Sequence, residues 1–245
     1  MQITFAHIMK SRKLKSILIG SLFSALVPLA AFLFLKMKGH DGHIAMPAFY
    51  GIDRVDSQQT DQGWKKDTTF HRIQDIRLQN QLGDTISIHE DLKGKILVFH
   101  FFFTSCHTIC PVSSKNMKLL NKAFFKNDTS IRFISISVDP VTDSVPRLRT
   151  YAEKYEANHD KWMFMTGDRD KIYAFARQEL HLDLPEPQAG ADDFIHPDQI
   201  VLVDKYHHIR GYYNALDSNK VRFCAEDIAK LMVEKHRLYE RKRKF

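Results

Sequence analysis

Two cysteines, Cys106 and Cys110, stand in the stretch Phe101-Phe102-Phe103-Thr104-Ser105-Cys106-His107-Thr108-Ile109-Cys110-Pro111. An apolar run stops at Thr104, both thiols follow, and a proline comes directly after the second. Proline is tolerated at the first helical position, where its missing N–H has no partner to lose. The spacing predicts a strand, a loop, and a helix opening at Pro111 with both sulfurs at its N-terminus. Free N–H groups and the dipole at that end favour thiolate over thiol. Thiolates attack disulfides and bind soft metals. Redox exchange and metal capture are therefore the two chemistries on offer. A plain structural disulfide, or two buried apolar fillers, is the bland third.

The elements around this loop alternate. Asp75 to Leu78 and Thr85 to Ile88 flank Gly83-Asp84 and predict a hairpin. Leu97 to Phe103 is nearly all apolar, the pattern of a strand covered on both faces. Pro111 to Phe125 predicts a helix with Val112, Leu119, Leu120 and Phe124 among its apolar positions. Ile131 to Val138 and Trp162 to Met165 predict strands. Asp143-Ser144 is a cap signal for a helix running to Tyr155, and Asp168 caps another through about Leu180. His181 to Ile195 is a long irregular stretch, a length that in compact domains is often functional. Gln199 to Val203 and Ile209 to Tyr213 predict a closing pair of strands, and a final helix is expected from near Ala225. This order predicts an α/β fold, a thioredoxin-like sandwich with a mixed central sheet.

Ile17 to Leu35 is an uncharged run of 19 residues, just enough as a helix to span roughly 30 Å of hydrocarbon. Lys10, Arg12, Lys13 and Lys15 precede it and Lys36 and Lys38 follow, which predicts a cytosolic N-terminus. The expected organisation is a cytosolic 1–16, one transmembrane helix at 17–35, a tether at 36–70, and a compact domain at 71–245 with a basic C-terminal helix. A cleaved signal peptide is the competing reading. Either way the domain faces an exported compartment. Net charge is +7, and much of it lies at the two ends. Lys235, Arg237, Arg241, Lys242, Arg243 and Lys244 crowd the last residues; they read as a solvated helix end or as a contact for nucleic acid or anionic lipid. Three cysteines are too few for a disulfide-stapled scaffold.

With these elements in place, Phe101 to Pro111 resembles the signature of the SCO/SenC proteins, membrane-tethered, thioredoxin-like copper-binding proteins involved in assembling cytochrome c oxidase. Three more segments agree: Ser137-Val138-Asp139-Pro140 with Asp143 and Pro146, Phe164 to Asp168, and Phe194-Ile195-His196 leading to Val201-Leu202-Val203-Asp204. The likeness covers about residues 70 to 232. It implies that Cys106, Cys110 and His196 are copper ligands, with Asp139 near the site as support for His196 or a water, or else as a turn residue. Two thiolates suit Cu(I), and an added imidazole lets Cu(II) occupy the same site. The chain departs from the family pattern at His107 (often proline), at Pro197 (often a small hydroxyl residue), and at Pro146, one place late.

The resemblance implies a copper metallochaperone in the bacterial cytoplasmic membrane with its domain in the periplasm. Its partner would be the copper-accepting subunit of a terminal oxidase, with other copper chaperones or thiol reductases alongside; nucleic acid is not expected. The alternative is an enzyme, a thiol–disulfide oxidoreductase in which Cys106 attacks and Cys110 resolves, reducing the partner's cysteines and needing no His196. A structural zinc module is disfavoured because only three ligands are evident. Among other residues, His40 and His43 in the tether read as incidental. His100 reads as buried and hydrogen-bonded, His107 as a poor ligand candidate, His207 and His208 as solvated in a turn, and Cys224 as buried and inert.

Overall fold

A computed structural model describes residues 22, 24–34, 45–60, 63–125, 128–184 and 198–234. The chain divides into two units, residues 1–45 and 46–245. In the first, residues 24–34 are helical and exposed, Leu26, Val27, Phe32 and Phe34 among them. Among the described residues no helix is long and apolar enough to cross a membrane. Both ends of the expected 17–35 span, and His40 and His43, lie outside the described residues.

The second unit opens with a two-stranded antiparallel hairpin, β1 (Ile52–Thr60) and β2 (Gly63–Phe70). The sequence reading leaves this region as part of a tether, and that is corrected here. The strands carry no alternating apolar face; they are held by backbone pairing and by Phe70 stacked on Phe49 at 4.8 Å. Polar, exposed strands of this kind leave no periodic signal to read.

The remaining elements follow the predicted order. They are β3 (Arg77–Asn80), β4 (Thr85–Ser87), β5 (Ile96–Phe102), α1 (Cys110–Lys122), β6 (Ile131–Ser137), α2 (Val145–Lys154), β7 (Trp162–Thr166), α3 (Arg169–Ala174, continuing as a π-turn over Phe175–Glu179), β8 (Gln199–Val203), β9 (Ile209–Asn214) and α4 (Ser218–Val233). Seven strands form one mixed sheet in the order β4-β3-β7-β6-β5-β8-β9. β5, β6 and β7 run parallel, while β3 and β8 pair antiparallel to β7 and β5. This is the expected α/β sandwich with a mixed sheet.

β5 lies in the interior of the sheet, and all seven of its residues are buried, as its unbroken apolar run requires. The one polar side chain in it, His100, is buried with Nδ1 3.5 Å from Ser135 Oγ on β6. That serine also accepts the Trp162 indole N–H at 2.9 Å, so one buried hydroxyl meets polar side chains from two neighbouring strands. The final helix starts seven residues earlier than expected: Asp217 caps it by accepting the Asn219 N–H at 2.8 Å. Its buried stripe is Val221, Cys224, Ile228 and Leu231, so Cys224 is buried within the helix rather than at its start. Two predicted apolar positions of α1, Val112 and Leu119, are instead exposed. The helix buries Cys110, Ser113, Ser114, Met117 and Leu120, and its two serines find partners inside: Ser114 meets the Tyr151 hydroxyl at 3.1 Å and Ser113 donates to the Cys110 carbonyl at 3.1 Å.

The β8–β9 turn also differs from expectation. His207 is buried, not solvated. Its ring stacks on His89 with centroids 4.2 Å apart, and its backbone occupies the left-handed region at φ 69°. His208 is largely covered as well, edge-on to Phe49 at 5.5 Å. The turn is shielded by the segment before the hairpin and by the loop carrying His89, contacts that local sequence does not announce.

Candidate metal centre

β5 ends at Phe102, and the chain crosses residues 103–109 to reach α1. Cys110 is the first helical residue and Pro111 the next, with Ile109 as the N-cap. No side-chain oxygen caps this helix. The Cys106 sulfur stands in that place, accepting the Cys110 backbone N–H at 3.3 Å. An N–H at a helix N-terminus aimed at sulfur favours negative charge there. Cys106 is also anchored through its own N–H, which donates to the Phe103 carbonyl at 3.3 Å. Both side chains are present as thiols rather than as a disulfide.

The two sulfurs are not equivalent. Cys106 is 9% exposed and Cys110 is fully buried. Burial pushes the Cys110 thiol well above the ordinary range; the Cys106 sulfur and the Asp143 carboxylate push the same way, against an opposing contact with the Phe103 backbone. The expectation that the helix end favours thiolate at both sulfurs therefore fails at Cys110. Loss of water outweighs the dipole once the group is inside. Next to Cys106, His107 and Thr108 are exposed, which makes this the open side of the loop.

Beneath the loop lies a residue that the sequence reading assigned to another task. Asp143 does not cap α2; Ser144 is the N-cap, without a side-chain bond. The Asp143 side chain turns inward and is fully buried. It accepts the Thr104 backbone N–H at 3.0 Å, the Thr104 hydroxyl, and the Ser137 hydroxyl at the end of β6. A buried carboxylate persists where donors compensate its lost hydration, and three converge here. The bonds tie Thr104, near the start of the cysteine loop, to the neighbouring strand. The only hint in sequence is that Thr104, Ser137 and Asp143 all fall inside the motif segments.

Asp139 lies in the same turn. Its N–H donates to Ser137 Oγ at 3.1 Å, and its Oδ1 accepts the Thr142 N–H at 3.3 Å. Both bonds lie within the turn. His196 lies outside the described residues. The chain is described again from Asp198, and β8 then runs antiparallel to β5 with Ile200 opposite His100. The start of β8 is therefore level with the end of β5, where the cysteine loop begins. A short relay connects Asp198 to the cysteine helix: its carbonyl accepts the Ala215 N–H, and the Ala215 carbonyl accepts the Asn116 Nδ2 of α1 at 2.7 Å. Cys224 is fully buried with its thiol pushed up by burial, which fits the inert reading.

Two thiols, one in the loop and one at the first residue of α1, with the sulfur of the first accepting the N–H of the second, can close a disulfide or bind a soft metal. Comparison with known proteins agrees with this geometry. The SCO1/SenC family model matches residues 65–233. The chain is 32% identical over 164 residues to the SCO1 protein homolog of Bacillus subtilis, covering 66% of this chain and 84% of that protein. Among solved structures, BsSco, described with a disulfide switch and as a member of the Sco family of cytochrome c oxidase assembly proteins, matches at 30% identity with a TM-score of 0.59, over 67% of this chain and 95% of that one. A SCO1/SenC family lipoprotein from Bacillus anthracis matches at 26% and 0.60, over 66% and 95%. Bradyrhizobium japonicum ScoI, solved with copper bound, shares the fold at 21% identity and 0.54, over 64% and 98%. Fold, cysteine motif and family model converge: the chain belongs to the SCO1/SenC family.

Proposed function

We propose that this protein is a copper metallochaperone that carries copper on Cys106, Cys110 and His196 and delivers it to the dinuclear copper centre of a terminal oxidase. The observation that carries the reading is the paired thiols at the N-terminus of α1, Cys110 fully buried and Cys106 slightly exposed beside the open residues His107 and Thr108. Copper is the cargo. Two thiolates suit Cu(I), and His196 extends the site to Cu(II). The return of the chain at Asp198, level with the end of β5, supports a histidine loop that can reach the thiols. Loading is coupled to proton release, because the Cys110 thiol is protonated until metal displaces the proton. Transfer proceeds by ligand exchange: the partner's ligands enter on the open side at Cys106, and Cys110 releases last.

The chain is held to the bacterial cytoplasmic membrane by the apolar run at 17–35, with the domain in the periplasm. The positive residues before the run support that orientation, and a lipoprotein relative supports membrane attachment as such. Asp139 supports the histidine side of the site. X-ray absorption at copper tests the ligand set. Two sulfurs and one nitrogen in the Cu(II) form, with the nitrogen lost in His196→Ala, is the expected result; an unchanged nitrogen shell removes His196 from the site.

A second reading has its own support, the disulfide switch described for BsSco. In it the Cys106 thiolate attacks a partner disulfide and one partner thiolate leaves. Cys110, deprotonated, then attacks the Cys106 sulfur and frees the second. The partner gains two electrons and this chain ends as the Cys106–Cys110 disulfide. Reduction of a partner disulfide by Cys106 and Cys110 that is indifferent to His196→Ala would favour this role.

A further inference from the structure

Four histidines outside the copper site meet in two pairs at the root of the β1–β2 hairpin, one pair beside each leg. In the first leg, the His71 N–H donates to the Gly51 carbonyl at 2.8 Å, and the Tyr50 N–H joins it to β9 through the Ile209 carbonyl at 3.0 Å. The His71 ring lies between two carboxylates, with Nδ1 3.2 Å from Asp53 Oδ1 on β1 and Nε2 3.2 Å from Glu179 Oε2 at the end of the π-turn. Its face tilts against His181, with centroids 4.8 Å apart. Only glycine fits at position 51: φ is 71°, and a Cβ would stand 2.9 Å from both His71 Cβ and His181 Cε1.

The second leg is Arg72 and Ile73, held to the β8–β9 turn. The Ile73 N–H donates to the His207 carbonyl at 3.0 Å, and Arg72 Nε donates to the Tyr206 carbonyl at 3.0 Å. His89 Nε2 donates to the Ile73 carbonyl at 2.8 Å, and Asp75 holds the His89 backbone by accepting its N–H at 2.9 Å. The His89 and His207 rings stack 4.2 Å apart with 11° between their planes. His207 is 8% exposed, and its Nε2 has no hydrogen-bond partner among the described residues. The charged and titratable groups around it are Arg72 from the hairpin, His89 from its loop, and His208 and Asp204 from its own turn; of these only Asp204 favours a proton on His207.

The two legs therefore answer acid differently. A proton on His71 meets carboxylates on both sides. A proton on His207 is buried, faces Arg72, and repels any proton on His89 across the stack. We propose that the hairpin root is an acid-sensitive hinge, in which acidification parts the Arg72–Ile73 leg from the β8–β9 turn while the Gly51–His71 leg stays closed. Burial first, then His89 and Arg72, hold the closed His207 imidazole down to about 4, whereas an opened imidazole titrates near about 6.5. The closed leg is thus fully favoured above about 6.5 and loses ground as pH falls towards 4. Between pH 7 and pH 5 the closing equilibrium weakens on the order of tenfold. The hinge is independent of the copper reading.

Backbone amide exchange tests it, read at single residues in the reduced full chain at pH 7 and pH 5 and corrected for the intrinsic rate at each pH. Ile73 is expected to be less protected than the β5 amides at both pH values, and to lose protection on the order of tenfold at pH 5. The His71 amide is expected to change by less than about twofold. In His207→Asn the fall at Ile73 is expected to vanish. In His89→Gln, which removes the stacked ring and keeps the test open should the Asn variant not fold, it is expected to shrink. Equal protection of Ile73 and the β5 amides, meaning that only unfolding of the whole domain frees the leg, overturns the proposal. So does unchanged Ile73 protection between pH 7 and pH 5, a His71 amide that loosens in step, or a fall that persists in full in the variants.

Discussion

Changing Asp143 to alanine removes the brace under the cysteine loop, and the structure sets the size of the effect. Three donors lose a charged acceptor: the Thr104 N–H, the Thr104 hydroxyl and the Ser137 hydroxyl. Hydrogen bonds to charged groups contribute about 1.5–3 kcal/mol each, but the carboxylate's own desolvation cost disappears with it. The hydroxyls can rotate towards other acceptors, whereas the Thr104 N–H cannot. An orphaned buried donor costs about 1–3 kcal/mol, and the space left by the side chain adds to that. The expected loss is about 3–4 kcal/mol, a large part of a total stability of about 5–15 kcal/mol. Asp143→Asn keeps one acceptor oxygen for the N–H and the volume of the side chain, and it sheds the buried charge, so its cost stays below about 1.5 kcal/mol. Urea unfolding of the reduced apo domain, residues 46–245, measures both. Cu(I) competition titration of the same proteins reads the loop directly, with affinity at least about tenfold weaker in the alanine variant and nearly retained in Asn, since about 1.4 kcal/mol is tenfold. Asp143→Ala within about 0.5 kcal/mol of the parent, the scatter of ordinary surface changes, would refute the reasoning.

Burial against His89 and Arg72 pushes the His207 imidazole down to about 4, with Asp204 opposing and His208 adding to the shift. Its unfolded value is about 6.5, so stability is fully present above that pH and falls on acidification towards 4, by up to roughly 3 kcal/mol. His207→Asn, which tolerates the left-handed backbone, is expected to flatten this fall in urea midpoints taken between pH 7 and pH 4; an unchanged slope would sink the assignment. In the native reduced protein, a thiol reagent is expected to label Cys106 first, Cys110 more slowly, and Cys224 only on unfolding, as read by mass spectrometry of quenched time points. Early labelling of Cys224 would contradict its place in the α4 interface. Lys161 is buried with Nζ donating to the Asn121, Phe124 and Phe125 carbonyls at 3.3, 2.9 and 2.8 Å. The Asn121 and Phe125 carbonyls keep backbone donors, so Lys161→Met is expected to cost about 1–3 kcal/mol, chiefly through the lost ammonium contact at the Phe124 carbonyl just past α1, a loss that a thermal melt would detect.

What could be read from sequence was set by local chemistry. The unbroken apolar run of β5 and the Cys110-Pro111 step announced a buried strand and the opening of a helix, and both are found within one residue. The alternation of strands and helices announced the sandwich. Three of the misreadings share one cause, which is that contacts outside the local segment override its signals. Asp143 beside Ser144 looks like a cap until Thr104, 39 residues away, supplies better donors. Val112 and Leu119 look like core until α1 buries its serines against Tyr151 and its own backbone. His207 looks like a turn residue in water until His89 covers it. Residues 52–70 carry no apolar period, because their pairing is made by backbone and by one aromatic stack at its base. Helix α4 begins ahead of its sequence signal because Asp217, its cap, stands among polar residues that resemble the end of a loop.

The central claim is that Cys106, Cys110 and His196 form one copper site, and copper binding to the reduced domain tests it most directly. Cu(I) affinity is measured by competition, and Cu(II) by its thiolate charge-transfer absorption, in the parent, Cys106→Ala, Cys110→Ala and His196→Ala. The account predicts one copper per chain, loss of both oxidation states with either cysteine variant, and loss of Cu(II) with Cu(I) largely kept in His196→Ala. Tight copper that survives loss of either cysteine, or no tight copper in the parent while its dithiol exchanges freely with disulfides, would contradict it.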